Sequence, residues 1–423
     1  MHLYIIYMSF HICKPFFCFG GKMNKTAFII SEYDPFHNGH LYHIRQTRAA
    51  GAETVVCLLS GNFMQRGTPA FFNKYDRAEM ALKNGADLVL ELPLRAVLGG
   101  AHNYAVGASE ILKALHASGT LSFGASASVD KLRSLHSITE TSDFFLMLHE
   151  RIMQTGENYA AAFARTAKIF SDNAESILSD PNNVLALEYM RAVSASGAPI
   201  DFFAVQRVGA IHDGNDTYQE FASAKRIREE LRSALDPSVV SGFLPESSFE
   251  IIKNALINGR APADMERYEL VTMVRLLMMD KEELGRIEGV NQGLENRIIQ
   301  ELKTSASLTE LLDNVKMKRF TYARLRRIVC AAALGLKKAD PDEGIGYIRV
   351  LGFREPHGRE ALNRLRQSTS VPLLTNLSDA SDGPDKETEI RAGKLYELLL
   401  PAARSCNPEI CAKPVIITGL DYA

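Results

Sequence analysis

An excess of charge of either sign is missing from this chain. Its 48 Lys and Arg are matched by 50 Asp and Glu, for a formal net charge of −2. No global field therefore draws it to a polyanion, and any contact with RNA has to come from a local basic patch. Cysteine pairs at metal spacing are missing too. The six cysteines are Cys13, Cys18, Cys57, Cys330, Cys406 and Cys411. The five-residue gap between Cys406 and Cys411 has no histidine cluster beside it and does not match the short zinc spacings. Scattered free thiols suit a reducing, cytoplasmic setting. There is no internal repeat and no long low-complexity segment. There is no convincing membrane span either: His2 to Phe19 is strongly apolar, but Lys14-Pro15 interrupts it. It also lacks the basic start and small-residue cleavage site of a signal peptide. Met23-Asn24-Lys25 directly precedes the first expected strand, so residues 1–22 read as an upstream mis-start or a disordered extension. What is left is ordinary for a soluble protein of two or three domains: 423 residues, 46% hydrophobic and 23% charged.

What is there concentrates in Ala27 to His40, AFIISEYDPFHNGH. Ala27 to Ile30 has the length and bulk of a buried strand. Asp34-Pro35 and Asn38-Gly39 are turn pairs, and Leu41 to Ala50 is expected to be helical. His37 and His40 then fall where a strand end passes through a loop into a helix N-terminus. Free N–H groups and the helix dipole hold phosphates at such a place. Two imidazoles there can stabilise charge on a phosphate oxygen. A solvated helix start is the plainer alternative.

Further strands are expected at Thr54–Leu59, Asp87–Leu92, Thr120–Phe123 and Asp201–Val205, separated by helices. This is βαβ order and implies a parallel sheet. Ligand groups would sit at the carboxyl ends of these strands. The candidates there are Arg66, Glu91 (a ligand group or a paired structural acid) and His102 with Asn103. The last two lie in a glycine-rich loop, 99–105, leading to a helix from Val106. Gly124 would let a nucleotide lie against backbone. Asp180 is an N-cap, and His212 to Asn215 reads as a loop. Ser223 caps a helix whose first turn holds Lys225, Arg226 and Arg228. Cations there oppose the helix dipole unless a polyphosphate binds.

From Glu246 to about Leu336 the pattern is helical, with Leu270 to Met279 read as a core helix. Lys316, Lys318, Arg319, Arg324, Arg326 and Arg327 form a basic stretch with Phe320 and Tyr322 between them. It is either a solvated face or an RNA-backbone contact with an aromatic for stacking. Residues 341–423 read as a small α+β module. The expected fold is α/β: a Rossmann-like parallel-sheet domain over 23–240, a helical domain over 241–340, and that C-terminal module.

These residues together resemble the tRNA(Met) cytidine acetate ligase family, within the His-x-Gly-His nucleotidyltransferase superfamily. The resemblance covers most of 23–420. It rests on SEYDPFHNGHLYH (31–43), SGNFMQRGTPA (60–70), DLVLELP (87–93), DPNNVLALEY (180–189), QRVGAIHD (206–213), FASAKRIR (221–228), and IRVLGF with GRE (348–360). The resemblance implies that acetate and ATP give acetyl-adenylate and pyrophosphate. The acetyl group then passes to the wobble cytidine of elongator tRNA(Met), giving N4-acetylcytidine. It implies His37 and His40 as the catalytic pair and ATP, with Mg²⁺, as co-substrate. It lines ATP with Ile30, Ser31, Glu32, Tyr33, Asp34, Pro35, Phe36, His37, Asn38, Gly39, His40, Leu41, Tyr42 and His43. Gly124, Asn182 or Asn183, Arg207, Ser223 and Arg228 complete that set, and the basic stretch at 316–327 would hold tRNA. No dedicated metal site and no membrane contact are implied. The chain departs from the family's habit at Asp34 (usually asparagine), at Ala125-Ser126 (usually Ser-Glu) and at Lys225 (usually threonine). Two alternatives stay open: a nucleotidyltransferase acting on a small metabolite without tRNA, and a non-catalytic tRNA-binding protein that keeps ATP as a ligand.

Overall fold

A computed structural model describes residues 24–207, 221–338 and 344–419. Residues 1–22, the His212–Asn215 loop and most of the 206–213 motif lie outside the described residues.

Among the described residues eight strands form one sheet: β1 (Thr26–Ser31), β2 (Thr54–Ser60), β3 (Leu88–Leu92), β4 (Gly119–Ala125), β5 (Ile200–Gln206), β6 (Ile348–Arg354), β7 (Leu373–Leu374) and β8 (Val415–Ile417). Their order is β5-β4-β1-β2-β3-β6-β7, with β8 also paired to β6. β5, β4, β1, β2 and β3 run parallel. Every residue of β2 and β3 is buried, as expected of strands covered by helices on both faces. Alternation along β1 sends Phe28 into one core, with the helices Gly100–Ala114 and Pro181–Ser196. Ala27 and Ile29 enter the other, with the helices Asn38–Ala49 and Lys74–Lys83. The chain winds from β1 to β2 and β3 on one side, then returns to place β4 and β5 on the other. That reversal opens a crevice at the carboxyl ends of β1 and β4.

The structure corrects several sequence expectations. The described part of the C-terminal segment, 344–419, does hold strands and helices, but β6 bonds antiparallel to β3. The segment therefore extends the main sheet and builds no sheet of its own. A buried ion cluster fastens this join. Lys74 Nζ lies 2.6 Å from Glu91 and 2.7 Å from Glu409, and Arg349 on β6 pairs with Glu409. Glu91 is thus the paired structural acid of the two readings.

The glycine-rich stretch 99–105 is no loop. The helix Leu94–Leu98 turns at Gly99, and Gly100, at φ +91°, starts the next helix. The helix at the histidines begins at Asn38, ahead of the expected Leu41. The core helix read at Leu270–Met279 belongs to Met265–Met278, which buries Tyr268, Thr272 and Leu276 but leaves Leu270 65% and Met278 73% exposed. Only one stripe of a surface helix meets the core, and apolar content alone did not show which. Cys406 and Cys411 are joined in a disulfide, so the expectation of free thiols holds for Cys57 and Cys330 and fails for this pair.

Candidate functional site

A cavity of about 520 Å³ opens at the carboxyl ends of β1, β4 and β5. The end of β1 and the loop after it supply Ile30, Ser31, Glu32, Tyr33 and Asp34. The following helix start supplies His37, Gly39, His40, Tyr42 and His43. Gly124 comes from β4, Asn182 from the helix Pro181–Ser196, Arg207 from the end of β5, and Ser223 and Arg228 from the start of the helix Ala224–Ala234. Segments far apart in sequence meet here because the sheet reverses its winding at β1.

The two histidines build the helix start themselves. His37 is the N-cap, and its Nδ1 accepts the Gly39 backbone N–H at 3.1 Å. His40 Nδ1 accepts the His37 backbone N–H at 3.2 Å, which closes a reciprocal cap. The rings stack with centroids 3.7 Å apart. Tyr33 and Phe36 hold His40 from the side, at 4.7 and 5.5 Å between centroids. With each Nδ1 lone pair given to a backbone amide, the remaining proton of a neutral ring sits on Nε2. Burial, reinforced by Arg207 and Arg228, pushes His37 down to about 4. Burial, with His37 and His43 adjacent, holds His40 well below the usual imidazole range. Both rings are therefore neutral N–H donors near pH 7. Arg207 and Arg228 add positive charge to the same wall. Neutral donors, cations and a helix N-terminus suit a polyphosphate.

The expectation that all of 30–43 lines the ligand site is too broad. Pro35, Phe36, Asn38 and Leu41 are absent from the wall. Phe36 is fully buried in the core below, Leu41 packs against that core, and Asn38 donates to the Gly242 carbonyl at 3.0 Å. The structure also separates the two asparagines. Asn182 lines the cavity. Asn183 is buried, its Oδ1 accepting the backbone N–H of Ser126 at 3.0 Å and of Ala127 at 3.1 Å. It shapes the loop after β4 and does not face the cavity. Arg226 turns away to pair with Glu230 at 2.7 Å. Arg66 is exposed and off the wall, and His102 pairs with Glu188 at 2.9 Å.

The sequence reading missed the apolar walls Phe123, Leu185, Tyr189, Val205 and Phe221, and the polar Gln206 beside them. A signal for some of them was present. Phe123, Val205 and Gln206 end strands just before predicted loops. Leu185 and Tyr189 follow Asn182 at helical spacing on one face.

The basic stretch lies outside this cavity. Lys316, Lys318, Arg319 and Arg326 are exposed. Arg324 donates to the Gly289 carbonyl at 3.2 Å, and Arg327 is half-buried against Gly100. Phe320 is core and cannot offer a stacking face. Tyr322 has Lys316 Nζ 4.2 Å from its ring centroid and its hydroxyl on Asp313. The stacking expectation therefore fails for Phe320, and the Tyr322 ring already carries a cation.

Comparison with known proteins agrees with this geometry. The family model described as HIGH Nucleotidyl Transferase matches residues 23–408. The tRNA(Met) cytidine acetate ligase of Thermosipho melanesiensis is 32% identical over 365 residues, covering 84% of this chain and 85% of that protein. The Acetivibrio thermocellus protein of the same name is 31% identical over 417 residues, 93% of this chain and 100% of its own. The crystal structure of Thermotoga maritima TmcAL bound with alpha-thio ATP superposes with a TM-score of 0.84 at 29% identity, covering 93% of this chain and all of that one.

Proposed function

The chain belongs to the tRNA(Met) cytidine acetate ligase family of HIGH nucleotidyl transferases, and from that premise we infer that it activates acetate with ATP and acetylates the wobble cytidine of elongator tRNA(Met). One observation carries the chemistry: a reciprocal cap made by His37 and His40, lining a cavity where the parallel sheet reverses.

In the first half-reaction an acetate oxygen attacks the α-phosphorus of MgATP. Pyrophosphate leaves, and acetyl-adenylate remains. His37 and His40 offer Nε2–H groups to the phosphate oxygens as charge builds on them. Since neither ring is charged, they act as preorganised dipoles. Arg207 and Arg228, which line the same cavity, neutralise the phosphates. Magnesium belongs to the nucleotide substrate in this scheme; among the described residues no group of three or more His, Cys, Asp or Glu could hold a metal ion.

In the second half-reaction the exocyclic amine of the cytidine takes the acetyl group and AMP leaves. The tRNA is gripped by the exposed Lys316, Lys318 and Arg319, in the turn before the helix Tyr322–Leu334, and by Arg326 on that helix, which Arg324 and Arg327 hold in place. Among the described residues no helix is long and apolar enough to cross a membrane, and a tRNA substrate places the work in the cytoplasm. Mass analysis of nucleosides, after tRNA is incubated with protein, ATP and acetate, tests the reading. N4-acetylcytidine is expected only when all three are supplied and only in elongator tRNA(Met). Its absence under those conditions overturns the assignment.

A further inference from the structure

The second half-reaction needs a proton acceptor. The lone pair of a cytosine exocyclic amine is delocalised into the ring, so the amine attacks well only if its proton is taken as the C–N bond forms. The wall of the cavity limits which group can do this. The two cap histidines are excluded because each has already given its Nδ1 lone pair to a backbone amide, and burial lowers His43 to about 4, which makes it the weaker base.

Two carboxylates line the cavity, Glu32 and Asp34, and they are not equivalent. Asp34 uses both oxygens: Oδ2 accepts the Phe71 backbone N–H at 2.9 Å and Oδ1 accepts that of Phe72 at 3.0 Å. Arg228 stands 3.9 Å from Oδ2. Glu32 uses one oxygen. Its Oε1 accepts the Gln65 backbone N–H at 2.7 Å, while Oε2 has no hydrogen-bond partner among the described residues. The neighbouring Gln65 Nε2 is buried without a partner, so unmet polar capacity lies beside this end of β1. Burial raises the Glu32 carboxyl above the usual range, which makes its carboxylate a stronger base.

We propose that Glu32 is the base of the acyl-transfer step, a role that rests on the acetate-ligase reading above. The cytidine N4 attacks the carbonyl carbon of acetyl-adenylate. The C–N bond forms, the bond from that carbon to the phosphate oxygen breaks, and AMP leaves with the electron pair. The proton lost from N4 passes to Glu32 Oε2 and from there to water. The bond from Gln65 fixes the carboxylate through its other oxygen.

The two half-reactions can be read separately, which makes the test sharp. Glu32→Gln keeps a carbonyl oxygen for the Gln65 N–H but removes the base. Acetate-dependent ATP–pyrophosphate exchange reports the first half, and single-turnover acetyl transfer to tRNA reports the second. The ratio of transfer to exchange is expected to fall about 100-fold in Glu32→Gln and to recover in part in Glu32→Asp. Parallel loss of both activities would mean that Glu32 serves ATP binding or folding, and would overturn the proposal. So would an unchanged ratio, or a selective transfer loss found in His43→Gln and not in Glu32→Gln. If the unaltered protein shows neither acetate-dependent exchange nor transfer, the ligase reading fails first and takes this role with it.

Discussion

His43 and Ser122 are joined, Nε2 to Oγ, at 2.8 Å, and the same hydroxyl lies 2.7 Å from Thr47 Oγ1. Thr47 spends its only hydroxyl proton on the His43 carbonyl at 2.9 Å. Ser122 must therefore donate to Thr47, and His43 must donate to Ser122. The chain of bonds fixes His43 with its proton on Nε2 and its Nδ1 lone pair free on the cavity wall. Ser122→Ala is expected to leave a half-buried N–H without a partner. It should destabilise the fold by about 1–3 kcal/mol and raise the KM for ATP while changing kcat less. Urea unfolding and initial-rate kinetics check both.

His40 is held on every side: by the His37 amide, by the stacked His37 ring, and by Tyr33 and Phe36. Such a ring is preorganised, so its loss should appear in the transition state more than in substrate binding. His40→Ala is expected to lower ATP–pyrophosphate exchange by roughly 100- to 1,000-fold. Circular dichroism should show the fold retained.

Stability should depend on pH through the cavity histidines. Burial depresses His37 and His43 to about 4, against an ordinary value of 6.5. Above 6.5 both states are neutral and these groups contribute no slope. Between 6.5 and 4 the unfolded chain takes up protons that the folded chain refuses, so stability falls as pH falls; below 4 this contribution levels off. The loss is on the order of 1 kcal/mol for each histidine by about pH 5, after discounting for cavity water. Urea midpoints from pH 7 to about 5 measure it, and a His37→Gln, His43→Gln double variant should flatten the curve.

Lys74 satisfies two buried carboxylates, Glu91 and Glu409, across the join between β3 and the C-terminal segment. Lys74→Met keeps the volume and strips the charge, leaving Arg349 to face both acids. Breaking a buried pair from one side costs about 3–5 kcal/mol. The midpoint of urea unfolding should fall accordingly, with proteolysis of the C-terminal segment rising in step.

Lys318 and Arg319 are exposed and no ion pair holds them among the described residues. Their reversal, Lys318→Glu with Arg319→Glu, is expected to raise the KM for tRNA and to flatten its salt dependence, since each phosphate contact contributes to that slope. ATP–pyrophosphate exchange without tRNA should stay as it was. A matching loss of exchange would show that the stretch acts on the catalytic cavity.

Much of the candidate site was legible in the sequence because its parts are local. A buried strand, turn pairs and a helix start leave a recognisable trace over a dozen residues, and His37, His40 and Gly39 stand where that trace put them. Ser223 was legible as an N-cap for the same reason: its hydroxyl accepts the Arg226 N–H three residues on. Asn182 and Asn183 were not separable, because adjacent residues on a helix point some 100° apart and only the docking of that helix says which meets the cavity. Phe320 was misread because a basic neighbourhood gives no measure of burial. The surface stripe of Met265–Met278 was misread because its apolar residues outnumber those that the core can take.

Sequence by itself determined the local chemistry of this protein: a histidine-capped helix start after a buried strand, glycine at a strand end, and cations on a second helix start. These follow from short-range backbone and capping physics. Tertiary structure decided which of them form one site. The reversal of strand order at β1 gathers residues from 30 to 228 around one cavity, and the antiparallel pairing of β6 with β3 draws the C-terminal segment into the same sheet. It also decided the state of each group: bonds to backbone amides make His37 and His40 donors, and they leave Glu32, not Asp34, with an oxygen free. Such bonds depend on partners tens of residues away, and no spacing within the chain could have specified them.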